Sequence, residues 1–310
     1  MRELLSRAST KYARGSARKK GLGDKTVYPH LWILPSVVLM VAIVVVPIID
    51  LLITSFSEVS FSGLRQGFNG VENYVSLFQD PVFPRVLINT VIWTVAIVGI
   101  TIVLSLGIAN LLNEKFVGRR LVRAALIIPW AVSLLITAVI WKWIFDFRYG
   151  TINLILQELG IIEENVNWLA QPATSFPAMI GVGVFVSLPF TSFVLLAGLQ
   201  AISAELYEAA RVDGADRWKR FVYVTLPQLR PTLTVAVVLN TIYVFNSFPI
   251  VWAMTRGEPL NKTDIIFTYL FKLGFEERQL GEAAAVSVIS FLILVAFSVL
   301  YVWFVTRRES

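Results

Sequence analysis

Six long apolar runs, separated by polar stretches, dominate the hydropathy pattern of this 310-residue chain. They cover residues 31–49, 86–113, 124–141, 176–204, 231–255 and 283–306, and none contains a charged residue. The first continues past a lone Asp50. At 1.5 Å of rise per residue, each run can cross about 30 Å of hydrocarbon as a helix. Helices are required, because lipid offers no hydrogen-bond partner to bare backbone N–H and C=O groups. Pro35 and Pro47 bracket the first run, and Pro47 is expected to kink it. Residues 71–78 and 152–159 are apolar at helical spacing and predict short interfacial helices, the second followed by Trp168 near the membrane surface. Residues 265–275 are more apolar than a free loop needs, and are expected to lie along or partly in the membrane. The pattern predicts an all-α polytopic membrane protein with six transmembrane helices.

Composition agrees: 56% of residues are hydrophobic, 15% charged, and the mean hydropathy is +0.70, too apolar for a soluble domain. Most of the 27 basic residues fall on alternate connections. Arg2, Arg7, Lys11, Arg14, Arg18, Lys19, Lys20 and Lys25 precede the first run. Lys115, Arg119, Arg120 and Arg123 follow the second. Arg211, Arg217, Lys219, Arg220 and Arg230 follow the fourth, and Arg307 and Arg308 follow the last. Basic residues are retained on the cytoplasmic side, so both termini and the fourth connection are expected there. The same asymmetry accounts for the net charge of +6 without nucleic acid. The first thirty residues do not read as a cleaved signal, since their apolar run continues to full span length. The expected organisation is a basic cytoplasmic segment over 1–30 and one membrane domain over 31–308. Its spans are expected at about 31–55, 86–113, 122–145, 176–201, 231–255 and 283–306, with a cytoplasmic loop over 203–231.

Enzyme constellations are missing. There is no cysteine, so neither disulfides nor thiolate metal sites are available. His30 is the one histidine and has no partner ligand nearby in sequence, so no metal site is expected. No phosphate-binding Gly-x-x-x-x-Gly-Lys-Ser/Thr loop occurs, so the chain is expected to bind no nucleotide of its own. Lys142 and Asp146, four apart at the end of the third run, are expected to pair.

The fourth connection carries the most informative residues. Glu208-Ala209-Ala210 is followed by Asp213-Gly214-Ala215, then Phe221, Leu226-Pro227 and Pro231. Ser203 can cap a helix that starts near Ala204, and Gly214 suits a position of positive φ that ends it. Asp216 can cap a second helix with Trp218, Phe221 and Val222 on one face. Pro227 and Pro231 are expected to stop that helix and start the fifth span. The two alanines offer a flat surface that another backbone can approach closely. Local chemistry alone also fits an ordinary amphipathic loop held by lipid.

The spacing of these residues resembles the EAA loop of ATP-binding-cassette importer permeases, with Val224 where isoleucine is usual. Further motifs agree: Gly70-Val71-Glu72-Asn73-Tyr74, Asp80-Pro81 with Phe83, Asn89-Thr90, and Ile128-Pro129-Trp130. Thr255-Arg256-Gly257-Glu258-Pro259 stands where the family usually has Thr-x-Gly-Gly-Pro, with glutamate for one glycine. Gly281-Glu282-Ala283-Ala284-Ala285-Val286-Ser287 opens the last run. The resemblance covers roughly residues 30–308 and points to the carbohydrate branch, to the F-type rather than the G-type subunit.

That resemblance implies the fold of type I ABC importer permeases (MetI-like), in a prokaryotic plasma (inner) membrane. The partners it implies are a second homologous permease, an ATPase dimer that carries ATP and Mg, an extracytoplasmic sugar-binding protein, the sugar and the lipid. By the same resemblance, Glu208, Ala209, Ala210, Asp213, Gly214, Ala215, Leu226 and Pro227 form the ATPase-coupling loop, and the third, fourth and fifth spans line the path. In those spans Trp130, Ser133, Ser187, Phe190, Asn240, Tyr243 and Ser247 are candidate sugar contacts, since hydroxyls and amides bond sugar hydroxyls and rings stack on pyranose faces. Asn240, Tyr243, Val244 and Ser247 share one helical face by spacing. The same polar residues could instead join helices to one another. An importer of glycerol-3-phosphate or another polar solute is an alternative, but a phosphate would want Arg or Lys inside a span and none is present. A stand-alone secondary transporter would need intramembrane ionisable groups, for which Asp50 and Lys142, both near span ends, are the candidates.

Overall fold

The computed structural model describes residues 29–307, so the basic segment before Pro29 lies outside the described residues. Residues up to Asp50 and those from Leu51 onward form two compact units. The first holds α1 (Pro29–Met40), a π-helical turn over Val41–Val45, and the start of α2 (Val46–Ser55). The wide turn has a cause in Pro47, whose ring crowds the carbonyl four residues back and which has no N–H to offer. The N–H of Val46 reaches back to the Val41 carbonyl instead. Loosening the helix by one residue relieves the crowding.

The second unit begins with a hairpin, β1 (Ser57–Val59) against β2 (Arg65–Phe68), antiparallel. No alternation of apolar residues signals it. It is held from α3 (Glu72–Gln79), where Asn73 Nδ2 donates to the Ser55 and Ser57 carbonyls at 2.9 and 3.0 Å. Tyr74 Oη donates to Ser55 Oγ at 2.8 Å. The Asn-Tyr pair of the sequence motif is thus a clamp on the strand.

The remaining helices are α4 (Val82–Asn113), α5 (Arg119–Ala131), α6 (Leu134–Ile144), α7 (Thr151–Glu158) and α8 (Pro172–Ala201). After them come α9 (Ala204–Val212), α10 (Arg217–Arg220), α11 (Leu226–Phe245), α12 (Phe248–Met254), α13 (Ile266–Phe271) and α14 (Leu280–Thr306). Among the described residues, five helical stretches are long and apolar enough to cross a membrane, and α5 with α6 makes a sixth if that bent pair is counted as one span. The interior is built where α4, α8 and α11 pack along one another. Trp93 and Ile97 of α4 meet Met179 and Val182 of α8 and Val244 of α11. At the other end, Ala109 and Leu112 meet Leu195, Leu199 and Leu229. Glycine permits the closest approaches: a Cβ on Gly183 would stand 2.4 Å from Ile97 Cδ1.

Three expectations are corrected. The third span is not one helix: α5 and α6 meet at a 99° bend, because Val132 and Ser133 are extended after Pro129 has removed a backbone donor from the last turn of α5. The prolines do not stop the helix before the fifth span. A second π turn over Phe221–Thr225 joins α10 to α11, with the Leu226 N–H bonded to the Phe221 carbonyl. As at Pro47, the wide turn ends shortly before a proline, here Pro227, and Pro231 sits inside α11. The fifth span breaks instead at Asn246 and Ser247. Lys142 and Asp146 do not pair: Asp146 Oδ1 accepts the N–H groups of Arg148 and Tyr149 at 2.8 and 2.9 Å. The Tyr149 and Arg148 N–H groups, with the Arg148 charge nearby, hold its carboxyl below the usual carboxylate range. Within residues 265–275, Ile265 and Ile266 are fully buried, with Ile266 packed against Phe83, Val86 and Val286, while Phe275 is exposed.

Candidate functional site

The connection between α8 and α11 is a helix–turn–helix. Ser203 Oγ accepts the Glu205 N–H at 3.2 Å and opens α9. Gly214 closes it at φ +77°. The Gly214 N–H meets the Arg211 carbonyl at 3.0 Å, and the Ala215 N–H meets the Ala210 carbonyl at 2.9 Å. That paired closure needs a residue tolerant of left-handed backbone, which glycine supplies. Asp216 Oδ1 then accepts the Lys219 N–H at 2.7 Å and starts α10. Tyr207 Oη lies 3.0 Å from Thr225 Oγ1, which ties α9 to the π turn.

α9 has two unlike faces. Ala204, Tyr207, Glu208 and Arg211, at i, i+3, i+4 and i+7, line a cavity of about 650 Å³. The end of α4 contributes Glu114, and the second helix contributes Arg217 and Arg220. On the opposite side Leu206, Ala209 and Asp213 are exposed. Val212 is 88% and Trp218 71% exposed, large apolar side chains left facing solvent although the Trp218 ring also meets that of Phe221. The loop residues singled out from sequence therefore divide. Glu208 stands on the cavity wall, and Ala209 and Asp213 face outward. Ala210 and Ala215 are half-buried, as are Leu226 and Pro227 in the first turn of α11. In the sequence Arg211, Arg217 and Arg220 register only as topogenic charge. The 204–207–208–211 spacing is the signal that joins one of them to the cavity.

The candidate sugar contacts differ in burial. Trp130, Ser133, Phe190 and Tyr243 are exposed, whereas Ser187, Asn240 and Ser247 are buried between helices. The shared face ends early: α11 stops at Phe245, and Tyr243 is turned away from buried Asn240 and Val244. Ser247 Oγ accepts the Trp93 Nε1–H at 3.0 Å, so it joins two helices. Ser187 Oγ and Asn240 Nδ2 are buried without a hydrogen-bond partner among the described residues.

The connection between α12 and α14 is a knot. Asn89 Nδ2 donates to the Lys262 and Asp264 carbonyls, both at 3.0 Å. Thr90 Oγ1 accepts the Ile266 N–H at 2.9 Å. Inside, Lys272 Nζ reaches Asp264 Oδ2 at 2.7 Å and Asn261 Oδ1 at 2.6 Å. Burial pushes the Asp264 carboxyl up, and Lys272 opposes that shift. Arg256, Leu260 and Asn261 all take positive φ to wrap this pair. The Asn-Thr pair of the sequence thus holds the 262–266 segment, and the Thr-x-Gly motif meets the same segment through Thr263.

A family model described as binding-protein-dependent transport system inner membrane component matches residues 101–310. The chain belongs to this family. The permease is similar to a probable ABC transporter permease protein of Brucella suis biovar 1, with 44% identity over 91% of this chain and 98% of that one. It is 35% identical to the trehalose/maltose transport system permease protein MalF of Thermococcus litoralis, over 88% of this chain and 91% of MalF. It is 34% identical to the sulfoquinovosyl glycerol transport system permease protein SmoG of Agrobacterium fabrum, over 93% of each chain. The fold matches a chain of a bacterial ABC transporter involved in import of the acidic polysaccharide alginate, with TM-score 0.76 and 24% identity over 90% of this chain and 95% of that one. The permease is thus a multi-pass membrane transport subunit of MetI-like fold, without a catalytic role of its own.

Proposed function

We propose that this permease forms half of the translocation path of an ATP-driven, binding-protein-dependent importer for a sugar, of disaccharide or oligosaccharide size. The observation that carries the reading is the outward face of α9 and α10. Val212 and Trp218 stand in solvent on a helix–turn–helix whose backbone is otherwise satisfied by its own caps, and such a surface calls for a protein partner. An ATP-binding-cassette subunit supplies it from the cytoplasm, where this loop and both termini lie. The motor's two states would move the loop differently, so coupling is the difference in contact energy between them. Glu208, Ala209, Ala210, Asp213, Gly214 and Ala215 form the moving unit, and Leu226 and Pro227 pass its motion through the π turn into α11. A second permease completes the path, and an extracytoplasmic binding protein delivers the sugar. Sugar as cargo is supported by the names of the relatives MalF and SmoG. The exposed Trp130, Phe190 and Tyr243 remain the candidate stacking contacts.

Affinity purification of the tagged protein from its native membrane, with mass spectrometry of what travels with it, tests this. A second permease and an ATPase are expected in the complex. A solitary chain that transports after reconstitution alone would overturn the reading.

A further inference from the structure

We propose that the cavity between the end of α4 and the α9–α10 pair is a binding site for a monoanionic phosphodiester. Arg211, Arg217 and Arg220 line one space, and none forms an ion pair among the described residues, although Glu208 and Glu114 line the same walls. The three guanidinium charges outnumber the two carboxylates on the same walls, and a bound anion relieves the repulsion that remains. Guanidinium is the side chain whose planar fork matches phosphate oxygens. The charge balance selects the anion. Three guanidiniums against two carboxylates leave an excess of one positive charge, which a phosphodiester neutralises and a phosphate monoester, near two negative charges, exceeds. Place selects it too: the cavity sits where the apolar α4 ends and α11 begins, at the depth of lipid headgroups under the cytoplasmic placement proposed above. The site lies on the opposite face of α9 from Leu206, Ala209 and Asp213, so it leaves that exposed face free for the motor. Its occupant would brace α9 against α4, and so would set how firmly the coupling loop is held. The inference rests on the importer reading only for which leaflet the cavity meets.

The test uses the whole transporter with its co-purifying subunits. Native mass spectrometry reads retained lipid after reconstitution in phosphatidylcholine alone or mixed with phosphatidylglycerol, with inorganic phosphate or a soluble phosphodiester (glycerophosphoglycerol) added in parallel. The wild-type protein is expected to retain phosphatidylglycerol. The R211Q/R217Q/R220Q variant is expected to retain it about tenfold less or worse, as charge-assisted contacts are lost. The corresponding triple lysine variant keeps the charge without the fork and is expected to fall between them. Competition by glycerophosphoglycerol, with no lipid retained, would assign the site to a soluble phosphodiester. Equal lipid retention by wild type and the glutamine variant, without competition by either probe, would overturn the proposal. So would loss of the ATPase from the glutamine variant with lipid retention unchanged, which would give the cavity to the motor. Failure of the importer reading shows separately, as a wild-type preparation with no ATPase in it.

Discussion

The α8–α11 loop and the α12–α14 knot both connect apolar helices, yet they resolve their polar and apolar groups in opposite ways. The knot is closed on the molecule. Its backbone is bonded to Asn89 and Thr90 of α4, its charges meet inside it, and Phe271 lies against Trp252 and Phe248 of α12 with ring centroids 4.6 and 5.1 Å away. The α8–α11 loop is closed only on itself. Its caps and its paired turn satisfy its backbone, while Leu206, Val212 and Trp218 point into solvent. The first arrangement fixes the ends of spans relative to one another. The second is rigid enough to move as a unit, and only another molecule can complete its surface.

The contrast should break most sharply at the knot. Lys272→Met would leave Asp264 a buried charge with no counter-ion, at a cost of about 3–5 kcal/mol. The thermal midpoint of the purified protein should fall accordingly, and K272M/D264N should recover most of the loss, because removing both partners leaves no buried charge. A single variant as stable as wild type would show that the pair is not what holds the knot. Next come two glycines with nearly the same backbone, Gly257 at φ +81° and Gly214 at φ +77°. A Cβ on Gly257 would stand 1.9 Å from Asp264 Oδ1, whereas one on Gly214 would meet nothing within 4 Å. Gly214→Ala should therefore cost only the left-handed backbone penalty, about 1–2 kcal/mol, and Gly257→Ala clearly more. Equal losses would mean the Asp264 carboxylate can move aside, and the knot would be looser than its contacts imply. Asp216→Ala removes the cap of α10 and should cost about 1 kcal/mol. Its effect on sugar-stimulated ATPase activity in the assembled transporter should exceed its effect on melting, if the loop transmits motion. Uncoupled and melted fractions changing in step would argue for a purely structural cap.

Much of this is legible in the chain. Uninterrupted apolar runs locate the spans because membrane backbone has so few solutions, and Ser203, Gly214 and Asp216 announce the loop because cap chemistry is local. What escapes is non-local or depends on how a proline is accommodated. Pro227 in the sequence reads as a stop, but a π turn just before it absorbs it, and hydropathy is blind to that choice. The 99° bend after Pro129 is the opposite outcome from the same residue type. Polar residues within spans fit either sugar contacts or helix joints in the sequence, and Ser247, which meets Trp93, is of the second kind. Spacing gives a face but not what the face meets. The Lys272–Asp264 pair joins residues eight apart across a loop whose left-handed turns no periodicity reveals.

The smallest predicted effects are titrations of opposite sign, and they separate the knot from the α6–α7 turn. Burial, with Asp80 and Glu282 close by, pushes the Glu277 carboxyl up, while Lys272 partly opposes this. A raised folded value means that the group's contribution to stability is present below the free carboxylate's value and is lost as pH rises through the folded value. Glu277→Gln should therefore match wild type in acid and become the more stable protein toward neutral pH. Asp146 is the reverse, because its folded value is depressed by the Tyr149 and Arg148 N–H groups. Its contribution is present above the free value and is lost as pH falls through the folded one. Asp146→Asn should be the less stable protein at neutral pH and should converge on wild type in acid. Melting midpoints of the three proteins across an acid-to-neutral series read both slopes at once. Parallel curves for Glu277→Gln and wild type would mean that Glu277 is as well solvated as a free side chain and that Asp80 and Glu282 do not act on it.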